Sequence, residues 1–213
     1  PDSVKRCIEE VDIGFMFAPA FHPAMRFAGP IRREIGVRTV FNILGPLTNP
    51  AGASYQLLGV GQPAGALDVG QPALGEMLAN VLASLGTKHS WVVRGDDGLD
   101  ELTTTTTSQV WEVTGSRVRH FETGPEDAGL GRVKLAEIQA ADTTENTAMF
   151  LDALSAGESA AKDIVLLNAA GALVVAGRVA DLRAGVAIAR EHIDSGEALQ
   201  KLHRLAALTQ TLD

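Results

Sequence analysis

Residues 89–103 read HSWVVRGDDGLDELT: a short apolar run closed by Gly95, then a loop carrying Asp96, Asp97, Asp100 and Glu101. The run predicts a buried strand, because it is rich in small and β-branched residues and is bounded by turn chemistry. In open α/β sheets ligands gather beyond the carboxyl ends of strands, so this loop is where chemistry is expected. Adjacent Asp100 and Glu101 offer hard oxygen donors, and Mg²⁺ is typically held by one or two carboxylates together with substrate phosphates. A solvated acidic turn has the same composition, so the loop taken alone leaves both roles open.

Downstream, residues 106–114 and 116–123 predict a hairpin about Gly115, rich in Thr, Val and aromatics. The threonines at 103–107 read as the start of its first strand on β propensity, with no function of their own. From Leu135 the pattern turns helical. Thr143 or Thr144 caps a helix to about Ala156, and residues 160–176 form an Ala/Leu/Val-rich helix buried nearly all round. Helices at 181–194 and 196–208 follow. Upstream, YQLLGV at 55–60 is a strand. Leu67, Leu74, Leu78, Leu82 and Leu85 suit a long helix over 64–85. GPLTNPAG at 45–52 is loop chemistry, residues 39–44 suit a strand or a short helix, and 24–35 reads as a helix interrupted by Gly29-Pro30. IGFMFA at 13–18 reads as a buried strand ahead of a turn at Pro19 and 21–23. Residues 3–11 read as a short helix with Val4, Cys7, Ile8 and Val11 on one face. Strands alternating with helices, then helices alone, give an α/β layer architecture with a mixed sheet.

The chain has 213 residues, enough to bury a sizeable core, and 46% hydrophobic with 21% charged residues is an ordinary globular balance. Lys plus Arg is 18 against Asp plus Glu at 26, a formal charge of -8, so no basic stripe suggests nucleic acid. No apolar run has the length of a membrane span. A single cysteine, Cys7, excludes an intrachain disulfide and fits a cytoplasmic protein. The chain opens on Pro1 and then directly on an amphipathic helix, which leads us to expect an upstream portion.

Two further features bear on function. Arg26, Arg32, Arg33 and Arg38 cluster in an otherwise acidic chain, and a guanidinium fork suits carboxylate or phosphate; surface arginines on a helix look the same. His22 precedes a proline in a turn, where a structural hydrogen bond is the commoner role. Residues 59–64, GVGQPA, match a loose dinucleotide pattern, but Pro63 stands where the helix would begin and no acid ends a following strand at the right distance.

FAPAFHPAMR (17–26), RREIGVRTVFNILGPLTNPAG (32–52), GDDGLDELTTTTTS (95–108) and VLLNAAGAL (165–173) together resemble the bacterial anthranilate phosphoribosyltransferases. The resemblance runs in one order from residue 1 to the end. It implies a mixed-sheet fold of the phosphoribosyltransferase and nucleoside-phosphorylase kind, with helices on both faces and remnants of a small helical domain. Residues 1–50 would be part of that small domain and its hinge segments with one core strand, and 51–213 the α/β domain.

The resemblance implies a pentosyl transfer in tryptophan biosynthesis. The amino nitrogen of anthranilate attacks C1 of phosphoribosyl pyrophosphate, and pyrophosphate leaves. Asp100 and Glu101 match the acidic pair that holds Mg²⁺, and Arg32 matches the arginine facing the anthranilate carboxylate. Pro19, His22 and Met25 fall in the segment lining the path anthranilate takes, although relatives can carry Tyr where Met25 stands. No residue is assigned as a general base. A homodimer is implied for the full-length form. The family's glycine-rich GTGGD-like loop and its Lys-His-Gly-Asn stretch are absent from these 213 residues, so the chain resembles the C-terminal larger part of the enzyme and is expected to be inactive alone. The rival expectations are a nucleoside phosphorylase or a phosphoribosyltransferase with another aromatic acceptor, and a non-catalytic scaffold piece.

Overall fold

A computed structural model describes residues 2–21, 34, 47, 49–61 and 72–212, with the side chains of 18, 19, 72 and 73 left aside. Arg32, His22 and Met25, all of the expected helix at 24–35 but residue 34, and the segment at 39–44 lie outside the described residues. The chain forms two compact units, Pro1–Gly52 with Ala198–Asp213, and Ala53–Glu197.

In the first unit α1 (Asp2–Val11) buries Cys7 and Val11, while Ile8, expected on the same face, stays 40% exposed. Lys5–Glu9 and Arg6–Glu10 pair along its outer side at four-residue spacing. The helix ends at Asp12, whose φ of 62° is left-handed. The last helix, Glu197–Thr209, fastens that end: Lys201 Nζ donates to Asp12 Oδ2 at 2.9 Å, and Arg204 donates to the Glu10 carbonyl at 3.0 Å. The Lys201 hydrogen bond, with its charge, holds the Asp12 carboxyl below its ordinary value.

The strand expected at 13–18 is not formed. Residues 13–17 are irregular, and Ala18–Phe21 is a short helix, α2, that takes in Pro19. At Gly14 the backbone lies so close to α1 that a β carbon would sit 2.8 Å from Ile8 Cγ1. The run therefore follows the helix rather than a sheet edge. Phe15 and Phe17 are 76% and 58% exposed and stack on each other, with 6.3 Å between ring centroids. An apolar run specifies a buried strand only when neighbours pair with it, and no strand pairs with this one among the described residues.

The second unit is built on a sheet whose described strands are β1 (Tyr55–Gly59), β2 (His89–Gly95), β3 (Ser108–Thr114) and β4 (Arg117–Thr123), in that spatial order. β1 and β2 are parallel, and the other neighbours are antiparallel, so the sheet is mixed. Leu57 stands opposite Trp91, and Trp111 opposite Val92, which puts Leu57 and Trp111 on different faces. Helix α3 (Pro72–Ser84) covers the Trp111 face, where a β carbon on Gly75 would sit 2.3 Å from the indole. The other face is covered by α5 (Ala160–Val175), whose Gly171 lies against Leu57. Helices thus cover both faces. The expected α/β layering is present, with Val92, Val93, Val110 and Val113 fully buried between the layers.

The remaining elements are two 3-10 turns (Pro125–Ala128 and Leu135–Glu137), α4 (Thr143–Ala153) and α6 (Leu182–Asp194). The cap of α4 is Asp142, not Thr143 or Thr144: its carboxylate accepts from Glu145 N at 2.9 Å, while Thr143 is already helical. Ser159 and Asp181 cap α5 and α6 in the same way. In α5 only Ala172 is exposed, as its composition suggests. The fully buried charge in this helix is Lys162, 0% exposed, whose ammonium donates to the carbonyls of Ser155 (3.1 Å) and Gly157 (2.9 Å) and pairs with Asp194. No helix among the described residues is long and apolar enough to cross a membrane.

Candidate functional site

β2 ends at Gly95, and the chain turns back on itself at once. Gly98 N–H donates to the Gly95 carbonyl at 2.9 Å, and Gly95 N–H to the Leu99 carbonyl at 2.9 Å. Gly98 has φ 95°, a conformation side chains disfavour. The loop lies over the carboxyl end of β1 as well. A β carbon on Gly59 would stand 1.6 Å from the Asp100 carbonyl oxygen. The glycine that opens GVGQPA therefore has a packing reason: it leaves room for the backbone of Asp100.

The four acids of the loop have different surroundings. Asp96 accepts from the Gln109 amide at 3.1 and 3.2 Å. Asp97 accepts from Leu99 N (3.1 Å), from Thr103 Oγ1 (2.6 Å) and from Thr105 Oγ1. Burial pushes the Asp97 carboxyl up, but the two hydroxyls and the backbone N–H outweigh it and hold it below the ordinary range. These acids serve the fold. The threonine run at 103–107 is accordingly not the start of a strand but a loop ahead of β3. Two of its hydroxyls, those of Thr103 and Thr105, are taken up by Asp97.

Asp100 and Glu101 are differently placed. Among the described residues nothing hydrogen-bonds the exposed Asp100 carboxylate. Glu101 is half-buried, and its Oε2 accepts from Asn168 Nδ2 at 3.1 Å. Burial raises the Glu101 pKa, and the negative charges of Asp100 and Asp97 raise it further. A carboxyl that resists ionising beside like charges is one that a cation would stabilise. The donor set is all oxygen, which fits Mg²⁺, a hard cation. No group of three or more His, Cys, Asp or Glu suited to a metal occurs among the described residues. Two carboxylates leave most of a Mg²⁺ coordination sphere to water and to a phosphate-bearing substrate.

Asn168, from the middle of α5, grips the other side of the loop. Its Oδ1 accepts from Leu102 N at 2.9 Å, and its Nδ2 donates to the Leu102 carbonyl at 2.9 Å. Leu102 is fully buried and lies against Gly171 one turn along the same helix. Of the residues expected at the site, the structure brings Asp100 and Glu101 together. Pro19 lies in α2, and its side chain is not described. Sequence reasoning gave no role to Asn168, Thr103 and Thr105, and it placed Asp97 in the acidic loop without its part in holding that loop. The available signal was an asparagine in the middle of an Ala/Leu helix, where its propensity is poor.

A family model, "Glycosyl transferase family, a/b domain", matches residues 1–199. The chain belongs to this glycosyl transferase family. Among curated members, anthranilate phosphoribosyltransferase of Chloroflexus aggregans is 50% identical over 212 residues, covering 98% of this chain and 59% of the relative. The enzyme of the same name from Mesorhizobium japonicum is 46% identical, with 98% and 59% covered. The crystal structure of anthranilate phosphoribosyltransferase from Thermus thermophilus superposes with a TM-score of 0.84 at 38% identity, over 98% of this chain and 59% of that one. The Saccharomyces cerevisiae enzyme, in complex with PRPP and Mg, gives 0.85 at 26% identity, over 99% and 58%. The chain thus spans about three fifths of the length of these glycosyl transferase family relatives.

Proposed function

We propose that this chain is the larger part of an anthranilate phosphoribosyltransferase, transferring phosphoribosyl from phosphoribosyl pyrophosphate to anthranilate. The products are N-(5'-phosphoribosyl)anthranilate and pyrophosphate. The nitrogen lone pair forms the new bond to C1 as the C1–oxygen bond breaks, and the amine proton leaves afterwards to solvent. Such a reaction asks a protein mainly to position two substrates and to stabilise separating charge.

The observation that carries this reading is the Asp100–Glu101 pair beyond the ends of β1 and β2: among the described residues Asp100 and one oxygen of Glu101 have no hydrogen-bond partner, while the other two acids are taken up by the fold. The relatives' common name supports the choice of acceptor. Asp100 and Glu101 would hold Mg²⁺, which when bound neutralises the departing pyrophosphate. Arg32 would bind the anthranilate carboxylate, and Pro19, His22 and Met25 would contribute to the acceptor's path. Residues 1–50 contribute to a small helical domain, the assembly is a homodimer, and the setting is the cytoplasm.

The test follows anthranilate fluorescence in the full-length protein at saturating phosphoribosyl pyrophosphate, with and without Mg²⁺. Metal-dependent depletion is expected. No depletion by folded protein, or turnover of nucleosides with phosphate instead, would overturn the reading.

A further inference from the structure

We propose that Asn168 is a positioning residue for the metal-facing carboxylate of Glu101, holding that side chain and the turn behind it in the geometry that receives the divalent cation. The inference rests on the function proposed above and adds a residue to it.

The geometry is specific. Asn168 stands in α5, and no sequence-local contact ties it to the loop. One face of its amide closes a two-way pair with the backbone of Leu102, N–H to Oδ1 and Nδ2–H to carbonyl, both 2.9 Å. The same Nδ2 reaches Glu101 Oε2 at 3.1 Å and the Ile164 carbonyl at 3.0 Å. Two N–H groups are thus shared among three acceptors. Only an amide has a donor and an acceptor together at this reach. Aspartate would lose the donor and face Glu101 with a like charge, and serine would fall short.

The direction of the Glu101 bond is informative. Asn168 donates to Oε2 and so fixes one carboxylate oxygen toward the helix. No described residue hydrogen-bonds Oε1. A carboxylate held by one oxygen presents the other in a fixed direction, which lowers the ordering cost of binding a cation. The cost falls on α5, because asparagine is a poorer helix former than alanine. Around it Leu166, Leu167 and Ala170 are buried, so an apolar residue would suit the helix better. The helix keeps a poor helix former at the one place where it touches the acidic loop's carboxylate.

The experiment is a double-substitution cycle in the full-length enzyme: wild type, Asn168→Ala, Glu101→Gln and both. Two readouts are taken, Mn²⁺ affinity by electron paramagnetic resonance in the presence of phosphoribosyl pyrophosphate, and the KM of each substrate. Alone, Asn168→Ala is expected to weaken Mn²⁺ binding about tenfold. It should raise the KM for the phosphoribosyl donor while leaving that for anthranilate within about twofold. In the Glu101→Gln background the same change should have no further effect on Mn²⁺. Equal losses in both backgrounds would overturn the proposal, because Asn168 would then act only on the fold. If Asn168→Ala does not fold, Asn168→Leu, which keeps the bulk, takes its place. Failure of both to fold while Glu101→Gln folds would also count against a positioning role. A wild-type enzyme that leaves anthranilate unconsumed would instead defeat the functional reading, with the Mn²⁺ cycle still reporting on Asn168.

Discussion

The amide of Asn168 and the backbone of Leu102 donate to each other across 66 positions of sequence, both at 2.9 Å. This pair joins a helix on one face of the sheet to the loop at the sheet's carboxyl end. It makes the acidic loop part of the fold rather than an appendage.

Removing the charge from that loop should stabilise it. Burial and the charges of Asp100 and Asp97 oppose ionisation of Glu101. Glu101→Gln keeps an acceptor for Asn168 but carries no charge. In chelator at neutral pH its Tm should rise, on the order of 2 °C for a chain of this size. The same variant should lose Mg²⁺-dependent turnover. Differential scanning calorimetry beside the fluorescence assay would show whether the two effects go together.

Asp97 should be sensitive to its hydroxyl partners. Thr103→Val with Thr105→Val conserves shape and removes both O–H donors. A loss of about 2 kcal/mol is expected, because hydrogen bonds to charged groups exceed neutral ones. Urea denaturation of the pair against wild type measures it, and Thr→Ser at both sites should restore most of the loss.

How much of this could be read in the chain beforehand depends on range. β2, the hairpin about Gly115 and α5 follow from local composition and turn chemistry, and they occur where expected. The Asp100–Glu101 pair was also legible, since it closely follows a strand. The segment at 13–18 was not, because apolarity states a need for burial but not which surface meets it. Nor was Asn168: its partners lie 66 and 67 positions away, so no local spacing reports them. Gly59 was visible only as part of a misleading motif, since its neighbour is the backbone of residue 100.

That neighbour makes Gly59 the most constrained of these positions. Gly59→Ala would place a methyl 1.6 Å from the Asp100 carbonyl oxygen, so loop or strand must move. About 3 kcal/mol of destabilisation is expected. The Mg²⁺ requirement for half-maximal rate should rise too, measurable by metal titration of whatever folded protein is recovered. Gly131→Ala, in open space and without a left-handed φ, is a control for the loss of a glycine alone.

A pH dependence should come from Glu112, away from the acidic loop. Burial raises its carboxyl, but donors from Trp91 Nε1 (3.1 Å), His89 (3.0 Å) and Arg119 (2.8 Å) more than offset this and hold it below its ordinary value. A lowered folded value means stability that is present above the ordinary glutamate pKa and lost as pH falls through the folded one. Glu112→Gln should cost about 1 kcal/mol at neutral pH, since Arg119 is mostly exposed and water screens that pair. It should also flatten the decline of Tm with acid. Melting curves from neutral pH down through the carboxylate range test both.

Lys162 offers a contrast between removing and replacing. Lys162→Ala leaves a cavity, two carbonyls without their donor and Asp194 without its cation. About 3 kcal/mol should be lost. Lys162→Met fills the volume, and Asp194, 41% exposed, can rehydrate, so its loss should be smaller. Chemical denaturation of the two variants ranks them.

The threonine tract has one more consequence. Its five members look interchangeable, yet Thr103 and Thr105 attend to Asp97 while Thr104 is sealed inside and accepts Val133 N–H on its carbonyl. Each of these places in the tract therefore has its own assignment. One threonine more or fewer would leave the composition almost untouched but move every later hydroxyl by one place. In this protein the length of a monotonous run is itself information.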